Sequence, residues 1–118
     1  MADYDLWSEI RSRTRQLDYS VRELRKSGTA YAEAEKAYKI KLRETALRLR
    51  SQDMAVGMIS MTVYGVPEVA ELRFKRDCCE AVYKANIEAI NAIKLEIRII
   101  NEQLSREISS PNVGYGNL

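Results

Sequence analysis

Between Val69 and Leu104 the apolar positions recur at intervals of three and four residues: Val69, Leu72, Arg76, Cys79, Tyr83, Asn86, Ile90, Ile93, Ile97, Ile100 and Leu104. A stripe that drifts so little over about five heptads predicts one long helix wrapped against other helices, because a seven-residue repeat keeps a single seam facing the partner. Only Arg76 and Asn86 bring a strongly polar group into that seam. Beside it runs a second row, Cys78, Val82, Ala85, Ala89, Ala92 and Ile99, which makes the apolar face wider than one partner helix requires.

Two shorter stripes precede the long one. The first, Trp7, Ile10, Thr14, Leu17, Val21 and Leu24, predicts a helix starting near Asp5, where acidic residues suit a helix N-terminus. Ser27, Gly28 and Thr29 interrupt the pattern, and a glycine followed by threonine closes one helix and caps the next in many proteins. A second helix is expected from Ala30 to about Gln52, with Tyr31, Ala34, Tyr38, Leu42, Thr45 and Leu49 on one face. Met54, Val56, Met58, Ile59, Met61, Val63 and Val66 are too apolar for a solvated loop, so a short helix near Met58 to Tyr64 is expected to cap the bundle. Pro67, followed by Glu68 and Glu71, suits the first turn of the long helix, which is expected to end near Ile108. Ser109 to Leu118 lacks periodicity and reads as a mobile tail.

Helix lengths constrain how these pieces pack. A run of about 40 residues spans roughly 60 Å, whereas each earlier run of about 22 spans roughly 33 Å, so neither alone covers the long helix. If Gly28 is only a kink, the first two runs form one arm of an antiparallel hairpin. If it is a sharp turn, the chain forms an elongated three-helix bundle. Both are all-α with coiled-coil-like packing. In the hairpin, the wide face of the long helix calls for a second copy of the chain, meeting it across Val82, Ala85, Asn86, Ala89, Ala92 and Ile99. Asn86 then fixes register within the assembly, or else sits at the rim of a monomer.

Composition agrees with a folded helical protein. Hydrophobic residues make up 46% of the chain and charged residues 31%, and prolines occur only at 67 and 111. The length of 118 residues suits a single domain, here residues 1–108, with helices at about 5–27, 30–52, 58–64 and 67–108. No window resembles a membrane span and the N-terminus is acidic where a secretory signal is basic, so a cytoplasmic protein is expected. Adjacent Cys78 and Cys79 point about 100° apart on a helix and are poorly placed to pair or share a metal. They read as two buried thiols, with a redox switch as the alternative.

Charge is concentrated. Lys36, Lys39, Lys41, Arg43, Arg48 and Arg50 face one acid, Glu44, within a single segment, while the whole chain is only +2. Arg73, Lys75 and Arg76 join them at the same end of either bundle. These nine residues form the candidate binding site for a phosphate backbone or an acidic protein face, with Tyr31, Tyr38 and Tyr64 available for stacking.

Catalytic chemistry finds little purchase. The chain has no histidine, which excludes Ser/His/Asp and Cys/His sites and the Glu-x-x-His pairs of di-iron bundles. Phosphate-loop and dinucleotide motifs are missing as well. Neither enzymatic activity nor a metal or cofactor is expected. The stretch Leu47 to Phe74 has the outline of a helix-turn-helix, but its middle helix is apolar where a recognition helix presents polar groups.

Three segments carry a resemblance: Gly28-Thr29-Ala30-Tyr31-Ala32-Glu33-Ala34-Glu35, Leu72-Arg73-Phe74-Lys75-Arg76-Asp77, and Glu80 through Asn91. Together the chain from about Gly28 to Glu107 resembles small helical proteins encoded by phages and prophages of Gram-positive bacteria. Such proteins sit among early genes for replication, recombination or counter-defence. The resemblance implies a phage context inside a bacterial host cell and transfers no functional residue. Two functions follow as expectations. One is a non-enzymatic, dimeric interaction protein that docks on a host or phage nucleic-acid-processing protein, in the manner of an anti-CRISPR inhibitor of a defence nuclease. The other is a DNA- or RNA-binding accessory protein of recombination or replication that works through the basic end.

Overall fold

The computed structural model describes residues 2–109, with side chains from Asp5 onward. The fold is all-α: α1 (Ala2–Ser51), α2 (Val56–Thr62), a 3₁₀ turn (Val63–Gly65) and α3 (Pro67–Ser109). The expected tail from Ser109 lies almost wholly outside the described residues. No helix among those described is long and apolar enough to cross a membrane.

The first two expected helices are one, and α1 starts at Ala2 rather than near Asp5. The interruption at Ser27, Gly28 and Thr29 does not occur, which removes the sharply turned three-helix alternative. Ser27 Oγ donates to the Leu24 carbonyl at 3.1 Å, so its hydroxyl is satisfied by the helix itself. Gly28 is helical, with φ in the ordinary negative range. A Cβ built there lies 3.2 Å from Tyr83 Cε1. The glycine therefore serves close approach of an aromatic ring from α3, at a helix-propensity cost of about 1 kcal/mol relative to alanine.

The real end of α1 has its own cap. Asp53 adopts φ 65°, and Met54 N–H donates to the Leu49 carbonyl at 3.2 Å while Asp53 N–H donates to that of Arg50 at 3.0 Å. This is a Schellman arrangement with aspartate in the left-handed position that glycine usually takes. After α2 and the 3₁₀ turn, Val66 is extended and Pro67 opens α3, where its missing N–H costs nothing.

The chain divides into two compact units, each containing part of α1 and part of α3. The looped unit is Leu24–Ala85, which includes α2 and the 3₁₀ turn. Its helices are antiparallel, with Gly28 against Tyr83 and Glu35 against Arg76. Ala34, Tyr38, Thr45, Leu49, Val63 and Val69 form its interior, and Val69 is fully buried. The terminal unit comprises the residues up to Glu23 and those from Asn86 onward. It too is antiparallel: Asn86 Nδ2 donates to the Glu23 carbonyl at 3.3 Å, and Arg13 Nε lies 3.0 Å from Glu96 Oε1. Ile90 and Leu104 are buried there, while Leu17, Val21, Ile93, Ile97 and Ile100 are half-buried.

The capping segment departs from expectation. Its helix runs Val56–Thr62 and buries none of its residues. Only Val63, in the 3₁₀ turn, is buried, with Met54, Ile59 and Val66 half-covered. Apolar composition marked the segment as a cap, but a seven-residue helix laid against others hides one side only, and Met58 and Met61 fall on the other.

Candidate functional site

Helical geometry sorts the nine basic candidates. At about 100° per residue, Lys36, Lys39, Arg43 and Arg50 fall within a sector of about 60° on α1, and Arg25 one stretch earlier shares it. All five are exposed. Lys41 and Arg48 project from the opposite side of the helix by the same periodicity. On α3, Lys75 shares a flank with Cys78 and Val82, away from Arg73 and Arg76. The expected single cluster is thus two flanks, and the richer one includes Arg25, which lies outside the dense run that drew attention in the sequence.

Two of the candidate arginines are already engaged. Arg76 Nη2 and Nε hold Asp77 Oδ1 at 2.8 and 2.9 Å, and Nη1 lies 3.5 Å from Glu35 Oε1. Its guanidinium also stacks over the ring of Tyr38 at 4.6 Å, and hydrogen bonding to Asp77 raises its pKa further. Arg76 therefore holds the looped unit together, which explains a cation in an apolar seam and withdraws both it and buried Tyr38 from partner binding. Arg73 sits over Tyr64 at 5.2 Å, without an ion pair among the described residues. Lys39 is shared with Glu35 at 3.3 Å. Lys36, Arg43 and Arg50 have no ion pair among the described residues, and neither has Arg25.

Between α1 and α3 on this flank lies an open groove of about 780 Å³, lined by Leu24, Arg25, Gly28, Thr29, Lys36 and Tyr83 among others. Tyr83 packs on Tyr31 with ring centroids 5.8 Å apart. Burial, then the charges of Glu80 and Glu35, raise the Tyr31 pKa, while a hydrogen bond to Glu80 raises that of Lys84, 3.0 Å from the same carboxylate. Tyr31 is accordingly tied to its neighbours rather than free for stacking.

A second groove, about 370 Å³, is formed by α1 and the capping segment. Leu42, Ala46, Leu47, Arg50, Val56, Ile59, Ser60, Val63 and Tyr64 line it. The sequence reading missed it by taking the segment near Met58 to Tyr64 only as a cap across the end of the bundle. The available signal was the excess of large side chains in a segment too short to bury them.

The second apolar row of α3 is uncovered within its own units. In the looped unit Cys78, Val82 and Ala85 are exposed, and in the terminal unit Ala89, Ala92 and Ile99 are too. Asn86, by contrast, is half-buried and bonded to the Glu23 carbonyl, which takes it out of that row. The two thiols are not buried as expected: Cys78 is exposed and Cys79 half-covered, beside a small apolar hollow with Ser27, Ala30 and Val82. Among the described residues no three His, Cys, Asp or Glu side chains are grouped to hold a metal ion.

No family model, curated protein or solved structure matches this chain.

Proposed function

We propose that this protein is a non-enzymatic helical interaction module that docks on a partner protein and pairs with a second copy of itself. The observation that carries the reading is the amount of large apolar surface left open on a small all-α chain: Leu47, Val56, Met58, Met61, Phe74, Val82 and Ile99 are all exposed. Scattered exposed apolar residues are ordinary, whereas apolar surface gathered in a groove and in a row favours contact with other chains. The partner is a nucleic-acid-processing protein in the cytoplasm of a bacterial host, an assignment supported by the resemblance to phage proteins. Inhibition of a defence nuclease is the form this docking takes.

The second reading, direct binding of DNA or RNA, is favoured by one specific feature, the sector of Lys36, Lys39, Arg43 and Arg50, in which Lys36, Arg43 and Arg50 make no ion pair among the described residues. Capture of tagged protein from phage-infected cells, with and without nuclease, separates the two. A protein partner retained after nuclease treatment supports docking, and complete loss of it overturns docking in favour of nucleic acid. A gel shift that survives replacement of Lys36, Lys39, Arg43 and Arg50 by Ser removes that sector from the second reading. Binding through it weakens by orders of magnitude between about 50 and 200 mM salt.

A further inference from the structure

The groove between α1 and the capping segment combines two features rarely placed together by core packing alone. Its lining is apolar, through Leu42, Leu47, Val56, Ile59 and Tyr64, yet it remains open, with Leu47 60% and Val56 61% exposed. Its border is cationic. Arg50 lines it, Arg43 lies two turns earlier on the same side of α1, and Arg73 is held over the ring of Tyr64. Arg43, Arg50 and Arg73 make no ion pair among the described residues, so their charge is uncompensated within the unit. By helical periodicity Glu71 shares the flank of Cys78 and Val82, and Glu44 lies about 100° around α1 from Arg43.

We propose that this groove takes an acidic amphipathic helix of the partner protein, an inference that rests on the docking reading above and specifies the partner's chemistry. Apolar side chains spaced i, i+3 or i+4 and i+7 enter between Leu42, Leu47, Ile59 and Tyr64, and the helix's carboxylates meet Arg43, Arg50 and Arg73. A flat bilayer does not fill a concave groove, and a nucleic acid leaves its apolar lining unused, so charge and shape together select a helix.

The test uses the full chain and fluorescently labelled peptides of about 14 residues, roughly 21 Å of helix. One peptide has Leu along a single face and Glu on the others, a second scrambles the same composition, and a third replaces Glu with Lys. Fluorescence anisotropy is expected to show the first binding at least about tenfold more tightly than the other two. Leu47→Asp and Val56→Asp, both at open positions of the lining and checked for helicity by circular dichroism, are expected to weaken it by about tenfold or more. Arg43→Ser with Arg50→Ser is expected to weaken it and flatten its salt dependence. Equal binding of the scrambled or Lys peptide overturns the proposal, as does indifference to Leu47→Asp and Val56→Asp. Sedimentation with phosphatidylserine vesicles that depends on Val56 assigns the groove to a bilayer, and a change of oligomeric state in Val56→Asp assigns it to a second copy. Either result overturns the proposal. A cellular partner still captured by Val56→Asp removes the groove and keeps the docking reading. Peptide binding as expected, with no partner captured, removes the docking reading and keeps the groove's chemistry.

Discussion

In the looped unit a capping segment joins the two long helices, and that third element completes an interior: Val63 and Val69 close over the end of a stripe that already holds Ala34, Tyr38 and Leu49. In the terminal unit α1 and α3 have only each other. Two paired helices bury one stripe apiece, so Ile90 and Leu104 are covered while Ile99, Leu95, Ile108 and Trp7 stay open. Even the polar contacts differ. The looped unit ties Arg76 to Asp77, Glu35 and Tyr38 at once, whereas the terminal unit relies on Arg13 between Glu9 and Glu96 at its surface. The looped unit thus closes an interior that the terminal unit does not, although both leave large apolar side chains open, Leu47, Phe74 and Val82 in the first and Trp7 and Ile99 in the second. The incompleteness is what the proposed second copy relieves.

The largest effect that separates the units is a buried charge. Val69→Asp places a carboxylate at a fully enclosed position and is expected to cost about 4 kcal/mol or more, enough to abolish cooperative melting of the looped unit. Ile99→Asp, at a position 52% exposed, is expected to change the monomer's stability by no more than about 0.5 kcal/mol. It should instead abolish self-association in analytical ultracentrifugation. A wild-type chain that sediments as a monomer at all concentrations sinks the second-copy reading. A large loss of monomer stability in Ile99→Asp sinks the contrast between the units. Native-state hydrogen exchange offers an independent check, since amides near Leu49 and Val69 should exchange more slowly than those near Ile97.

Much of this contrast could be read from spacing. The stripe from Val69 to Leu104 specified α3, and the second row from Cys78 to Ile99 announced that the face was too wide for one partner. Periodicity reports which side of a helix is greasy, though not what covers it, so it took Met58 and Met61 only as part of a cap and buried both thiols. It misjudged Gly28 for a related reason. Glycine breaks helices by propensity, and only the ring of Tyr83 across the seam reveals the contact that keeps it inside one. The basic site was visible as a dense run, but a run of charges wraps around a helix. Separating Lys41 and Arg48 from Lys36, Lys39, Arg43 and Arg50 requires knowing that the segment is continuous helix and which side faces α3. The use of Arg76 on Asp77, Glu35 and Tyr38 is a tertiary fact with no local signature.

A smaller effect tests the close approach that distinguishes the looped unit. Gly28→Ala gains about 1 kcal/mol of helix propensity but sets its methyl 3.2 Å from Tyr83 Cε1, so the ring must yield by a few tenths of an ångström against Tyr31. The expected outcome is a near-neutral change in the wild-type background and a stabilisation of about 1 kcal/mol in a Tyr83→Ala background. Equal stabilisation in both backgrounds means that the glycine serves no packing purpose and that Ser27-Gly28-Thr29 is merely tolerated.

The smallest expected effect concerns alkaline pH and belongs to the looped unit alone. Tyr31 and Lys84 share Glu80, and both hold their protons more tightly in the folded chain than at their ordinary values of 10.0 and 10.5. A group whose folded pKa is raised adds stability that is fully present below its unfolded pKa and fades as pH climbs through the folded one. Ionised Tyr31 would stand beside the carboxylates of Glu80 and Glu35, and deprotonated Lys84 would release Glu80. Melting temperature should therefore fall as pH climbs above about 10, and fall less steeply in Tyr31→Phe, which has no proton to lose. Since both groups are open to solvent the slope is small, and its sign is the informative quantity. A Tyr31→Phe chain that loses stability as steeply as the wild type over this range shows that the phenol and Glu80 are not coupled, and that the looped unit owes its cohesion to Arg76 and the apolar seam.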